Sequence, residues 1–428
     1  MNLITFIQNY CLGDIKMNIK IKKNTIHGFT LLLCFFIIAN FTSHIFRYAT
    51  NNVNCITLVN NICWVIFIIY SVYECFTRKA FLTKRSIFIF LVLIISTLIG
   101  RIIGQKYFPL IINYKSAVFV FLLSFYCCLC VKWSISFNVE EVCFILKLVV
   151  IMGIAAVIFA FIYQHDLLIN VIKGVNTAKS SWNYYSFFSQ RNIYAEYCLI
   201  SLACCLILHE ITKNKMYIIL GLLFAFNIYI TDSRTSLYSC IFMLILYFYI
   251  KSRHKILLII LGLTVILMFY VTYFYNYDFT IISSHYDATS GMDSGLLRFN
   301  MWKRGLDVLY KNNALLQGFG DGAASEFLMQ YYAFGSFHNA YMDILFEGGI
   351  VRLVLFISSI AFNILLIIRG NSPIKDSYIS FILTFCLVYF FESGASVYLN
   401  NYFALTTTIL IILLPRISCL TRGGEFSE

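Results

Sequence analysis

The sequence predicts an all-α polytopic membrane protein of about twelve transmembrane helices, and three observations carry that expectation. Hydrophobic residues make up 60% of the 428 and charged residues 12%, whereas an ordinary soluble domain is roughly 25% charged. Water is therefore not the main solvent. Apolar runs of about 17 to 25 residues recur from end to end, each long enough to cross a hydrocarbon core near 30 Å thick. Backbone groups in lipid must be satisfied internally, which leaves helices or a closed barrel. Few of the runs alternate as lipid-facing barrel strands do, and the chain has only three prolines to interrupt a helix.

Residues 1–26 read as a cytoplasmic tail. Lys20, Lys22 and Lys23 lead into a run long enough to span, so no cleavable signal peptide is expected. Met17 offers a more conventional start, which makes the first sixteen residues dispensable. Residues 27–275 hold nine spans: His27 to Phe46, Ile56 to Phe76, Ser86 to Gly104, Ser116 to Val131, Val142 to Tyr163, Ile193 to Leu208, Met216 to Ile230, Thr235 to Ile250 and Ile256 to Tyr275. A large loop, 276–337, precedes the tenth span. Residues 338–415 hold a broken segment, His338 to Ile368, followed by Asp376 to Phe391 and Tyr402 to Leu414, and 416–428 form a second cytoplasmic tail.

The formal net charge of +12 does not indicate a nucleic-acid partner, because the basic residues lie in short loops rather than in one stripe. With both termini inside, the cytoplasmic loops collect Arg78, Lys79, Lys84, Arg85, Lys213, Lys215, Lys251, Arg253, Lys255, Arg369, Lys375, Arg416 and Arg422, as the positive-inside rule requires. Two long segments, 164–192 and 276–337, then face outward. Long external loops are where binding elements and lids tend to sit. Most of the fifteen cysteines lie inside apolar runs and read as small buried hydrophobes.

Within the large loop, Leu296 to Asn312 reads as an amphipathic helix with Phe299, Trp302, Leu306 and Leu309 on one face, lying on the bundle or the membrane surface. Lys303, Asp307 and Lys311 form a solvated ladder without assigned chemistry. GFGDG, Gly318 to Gly322, follows no strand and reads as a flexible turn, not a dinucleotide fingerprint. The first external loop, Arg47 to Cys55, has no carboxylate, and no His and acid cluster stands at ligand spacing, so neither metal nor cofactor is expected.

Arg191, Arg234 and His338 break the rules where helices begin on the outer side. In TDSRTS, Asp232 or Ser233 supplies an N-cap and Arg234 lies near the positive end of the following helix. The positive-inside rule and the helix dipole both oppose a cation there, unless an anion such as phosphate occupies the site. SQRNIYAEY repeats the arrangement at Arg191, with Glu196 a turn and a half further on. Either arginine also has a plainer reading, snorkelling to headgroups or pairing with Asp232 or Glu196. The two together favour a pyrophosphate site. His338 opens HNAYMDILFEGGIV, a helix interrupted at Gly348 and Gly349. An imidazole there accepts a proton near neutral pH, and a positive helix end favours its neutral form.

TDSRTS before a span, LLRFNMWKRGLDVLYKNNALLQGFGDG in a long loop and then HNAYMDILFEGGIVRL resemble, in motif and order, the O-antigen polymerase and ligase superfamily over residues 228 to 360, with SQRNIYAEY a weaker fourth match. The resemblance implies a metal-independent, GT-C-like glycosyltransferase fold in a bacterial inner membrane. It implies undecaprenyl-pyrophosphate-linked oligosaccharides and membrane lipids as partners, and it leaves room for a chain-length regulator. By motif, Arg191, Arg234 and Arg298 would hold pyrophosphate and His338 would act as base, with Asn339, Glu347 and Ser233 in support. Arg352 departs from the pattern, since a small residue often stands there. It either lines the cavity or pairs with Glu347 or Asp343. Two sizeable cation-bearing loops suit two lipid-linked substrates, which favours a polymerase over a ligase that passes the glycan to lipid A core. A flippase for the same lipid-linked oligosaccharide is the third reading, opposed by the scarcity of buried charge apart from Lys147 and Glu196.

Overall fold

The computed structural model describes residues 28–52, 98–108, 139–175, 183–252, 289–320, 322–332, 336–369 and 374–392, with isolated positions elsewhere. The described residues form helices and no strand: α1 (Gly28–Thr50), α2 (Val139–Tyr163), α3 (His165–Ile172), α4 (Arg191–Thr212), α5 (Met216–Ile230), α6 (Arg234–Lys251), α7 (Thr289–Lys311), α8 (Ala323–Tyr332), α9 (Ala340–Arg369) and α10 (Lys375–Phe391). The second, fourth, ninth and twelfth expected spans, most of the third, both tails and the first part of the large loop fall outside the described residues. By length and composition, Val139–Tyr163, Arg191–Thr212 and Ala340–Arg369 are able to cross a membrane, and the regular structure of the described residues is all helical.

α4 is the axis of the bundle. It packs against α2, α5, α6 and α10 and is buried on nearly every side, from Tyr194 through Leu208, as expected of a helix that is apolar all round. Lys213, left-handed at φ 58°, ends α4 and turns the chain into α5; residues 231–233 turn it again into α6, with Asp232 left-handed at φ 49°. Thr30 donates to the Glu141 carboxylate at 3.0 Å, tying α1 to the first turn of α2.

This up-and-down course gives the bundle two unlike ends. One holds Lys213, Lys215, Lys251, Arg369 and Lys375, at or beside the ends of α4, α6 and α9 and the starts of α5 and α10. There the buried Glu210 carboxylate meets the Lys251 ammonium and the Ser377 hydroxyl, and accepts the Ser377 N–H at 3.3 Å. An acid is thereby set at the positive start of α10. The opposite end gathers the starts of α4, α6 and α9 and the end of α10.

The large loop contributes α7, α8 and a turn that repairs α9. Gly349 breaks that helix at φ 67°, ψ −174°, which frees backbone groups that a low-dielectric interior cannot leave unpaired. The 315–320 turn satisfies them: Phe319 N–H donates to Phe346 O at 2.9 Å, Gly320 N–H to Glu347 O at 2.9 Å, and Ile350 N–H to Leu315 O at 2.9 Å. Gly318 to Gly320, the described start of GFGDG, are therefore docked as a plug, correcting the expectation of a flexible turn there. Its Phe319 packs on Phe108 and Phe346 in a second core, where Phe327 packs on Phe346 in turn.

A side chain at Gly349 would bring its Cβ to 2.1 Å from the Leu316 carbonyl oxygen, and the φ/ψ region is essentially reserved for glycine. Gly349→Ala should cost roughly 3 kcal/mol or more, from backbone strain of about 1–3 kcal/mol plus the clash. Thermal unfolding in detergent checks this, and an unchanged midpoint would contradict the plugged break.

α7 corrects the expected apolar face. Met301 and Leu309 are buried with Gly305 between them and Trp302 half-buried, whereas Phe299 and Leu306 are exposed. Gly305 carries no weight in a hydrophobic pattern, yet the Phe337 ring packs so near that a Cβ there would lie 2.8 Å from it. That contact sets the helix rotation.

Candidate functional site

Arg191 is the first residue of α4 and Arg234 the first of α6. Each guanidinium thus sits at the positive pole of its own helix. The N-cap side chains, Gln190 and Ser233, make no capping hydrogen bond; Ser233 instead donates to the Ser236 hydroxyl at 3.2 Å. The expected cap at Ser233 is therefore a position without the capping contact. Arg191 Nη1 lies 3.6 Å from Asp232 Oδ2 and 3.5 Å from Thr231 O, so the α5–α6 turn and the start of α4 are in contact. The left-handed backbone of Asp232 presents that carboxylate. This pairing was one of the two plainer readings open to Arg191, and it leaves part of the guanidinium at the surface, 20% exposed.

His338 stands two residues ahead of α9, so it precedes the helix it was expected to begin. Asn339 is its cap, accepting Met342 N–H on Oδ1 at 3.0 Å. His338 is left-handed at φ 50°, an uncommon conformation for a residue with a Cβ, and the preceding peptide is gripped from both sides. Phe337 N–H donates to Asp343 Oδ1 at 3.0 Å and Phe337 O accepts the Trp302 indole N–H at 2.8 Å. The Phe337 ring is fully buried in the second core. Strain held by surrounding contacts in this way is typical of working sites.

Glu392 joins these pieces, and sequence reasoning missed it. It follows α10 as the C-cap, in extended conformation. Its Oε1 accepts the Thr235 hydroxyl at 3.2 Å and the Asn192 amide at 3.4 Å, and its Oε2 lies 3.9 Å from His338 Nδ1. Arg298, reaching in from α7, donates to Phe391 O at 2.9 Å and closes the end of α10. The starts of α4 and α6, the turn before α9, the end of α10 and one residue of α7 thus meet at a single point. Burial alone would raise the Glu392 carboxyl, but His338, Arg298 and Thr235 outweigh it and hold it below the usual carboxylate range. The stabilisation it gives these helix ends is present above the ordinary carboxylate range and fades as pH falls through the lowered value.

A signal for Glu392 did exist. An acid at the C-terminal end of a helix opposes the dipole just as Arg191 and Arg234 do at N-termini, and the sequence places Glu392 at the end of a span, ahead of Gly394. Three groups are misplaced with respect to their own helices, and all three stand at this end of the bundle.

The structure draws Arg191, Arg234, Arg298, His338 and Asn339 to this end of the bundle, with Ser233 beside them. Glu347 holds the plug instead, with Oε1 accepting Gly322 N–H at 3.0 Å. Arg352 is buried and folds back over Gly348, whose Cβ would lie 2.2 Å from Arg352 Nε. Among the described residues, no three His, Cys, Asp or Glu side chains cluster in a way that suits a metal ion. What the site offers is fixed cationic hydrogen-bond donors beside an imidazole and a carboxylate, a set suited to gripping a polyanion and moving one proton.

Fold and site together define a helical membrane protein with a cationic, imidazole-bearing site where helix ends meet. Residues 219–357 match the family model described as O-antigen ligase, so this part of the chain is similar to the O-antigen polymerase and ligase superfamily. Arg234, Arg298 and His338 lie inside the matched segment; Arg191 and Glu392 lie outside it. No curated protein matches the chain.

Proposed function

We propose that this protein is a surface-polysaccharide polymerase, an inverting, metal-independent glycosyltransferase of about twelve spans in a bacterial inner membrane. It moves a growing glycan from undecaprenyl pyrophosphate onto the non-reducing end of a lipid-linked repeat unit. The observation that carries this reading is the convergence of Arg191 and Arg234, each the first residue of its helix, on the end of the bundle that holds His338. The diphosphate of the donor lies between the arginines, which neutralise the charge that grows as the sugar–phosphate bond breaks. Arg298 supplies a further contact. An acceptor hydroxyl attacks the anomeric carbon from the opposite face, its proton passes to His338, and undecaprenyl pyrophosphate leaves. Ser233 and Asn339 support the machinery by fixing the starts of α6 and α9. Basic residues at the other end of the bundle make that end cytoplasmic by the positive-inside rule, which puts the site and the large loop in the periplasm.

The matched family is equally compatible with a second reading, a ligase that delivers the glycan to lipid A core. Deleting the gene decides between them. Loss of a polymerase leaves single repeat units on the lipopolysaccharide, and loss of a ligase leaves a bare core with polymer still on its carrier. Purified protein in liposomes that moves labelled carrier without elongating it would replace both with a flippase.

A further inference from the structure

We infer that Glu392 is the positioning residue for His338: its carboxylate faces Nδ1 and fixes the imidazole so that Nε2 is presented to the acceptor hydroxyl. The inference rests on the proposed role of His338 as base and adds a residue outside the matched family segment.

The geometry supplies the reasons. Glu392 Oε2 is 3.9 Å from His338 Nδ1, an ion-pair distance and longer than a hydrogen bond, of the kind that tightens when substrate closes a site. The other oxygen, Oε1, is held by Thr235 at 3.2 Å and Asn192 at 3.4 Å. The carboxylate is thus anchored on one side and turned toward the imidazole on the other. A proton kept on Nδ1 leaves Nε2 as the basic nitrogen, and a carboxylate beside Nδ1–H stabilises the imidazolium that forms as the hydroxyl gives up its proton. No proton reaches Glu392 in this scheme.

The titratable groups facing Glu392 come from three other elements: His338 from the turn before α9, Arg298 from α7 and a second, deeply buried carboxyl, Glu196, from α4. A purely structural role would need none of the directed contact to His338. Thr235 and Asn192 alone would tie α10 to α6 and α4, and an amide would serve them nearly as well. The inference therefore turns on charge at Oε2.

Glu392→Gln separates these roles, because it keeps shape and hydrogen bonding and removes the charge. With purified protein and a lipid-linked repeat unit, we expect turnover to fall about 100-fold with the donor KM unchanged. The acid limb of the pH–rate profile should move as well, because the charge that faces Nδ1 is gone. Glu392→Asp, which withdraws the carboxylate by one methylene, should lie between wild type and Gln, and it supplies the same reading if the Gln variant does not purify as a monodisperse protein. An acid limb that stays in place in these variants overturns the inference whatever the rate does, and leaves Glu392 as a tie between helix ends. His338→Ala keeps the two levels apart. If it still transfers glycan, the base assignment itself fails and the positioning role goes with it; if it is inactive while the acid limb of the Glu392 variants is unmoved, only the positioning role fails.

Discussion

Replacing His338 by Ala is expected to abolish elongation while the lipid-linked donor still binds. General-base catalysis contributes roughly 10²- to 10⁴-fold, so the loss should be in turnover by about that factor, with donor affinity little changed. The separation follows from the architecture. The arginines assigned to the diphosphate open α4 and α6, whereas His338 rides on a turn held by the Asp343 and Trp302 contacts to Phe337 and by the Asn339 cap. None of those contacts uses the imidazole, so the turn should survive its removal. Left-handed backbone at φ 50° suits alanine poorly, and His338→Asn is the better-tolerated control, because Asn is enriched in that region and lacks a basic nitrogen. Chain-length distribution on the carrier, measured beside donor binding, checks the expectation. Substantial polymer from either variant removes His338 as the base.

Much of the architecture that presents this site was legible because it is local. Hydropathy over a window sees a span, so α5 begins and ends where its apolar run does, and α2, α4, α6, α9 and α10 lie within a few residues of their expected bounds. Charge placement is also local: an arginine in the first turn of an apolar run is visible in six residues, and both arginines prove to open their helices. The Gly348 and Gly349 pair announced a break, and Gly349 makes it. What was not legible depends on partners far apart in sequence. GFGDG looks like any glycine-rich turn until the carbonyls of Phe346 and Glu347 are seen to need its N–H groups. The buried stripe of α7 runs through Gly305 because a ring 32 positions away fills the space, and no periodicity of apolar residues reports a glycine. Glu392 was missed because the dipole argument was applied to helix starts and not to helix ends.

Arg234→Lys is the second substitution with a large expected effect, and it tests the anion rather than the base. Lysine keeps the positive charge, so steering of a polyanion and any headgroup contact should persist. What it loses is the planar fork that makes two parallel hydrogen bonds to phosphate oxygens. Hydrogen bonds to charged groups are worth about 1.5–3 kcal/mol, which corresponds to roughly 10- to 100-fold. If the grip tightens as negative charge accumulates on the leaving diphosphate, the loss falls on turnover more than on donor KM. A cation at the first residue of α6 opposes the helix dipole whichever residue carries it, so charge alone gives no reason for arginine at this position. Near-normal transfer by the lysine variant would mean that Arg234 only reaches headgroups or a neighbouring acid, and the diphosphate would then have to be held elsewhere.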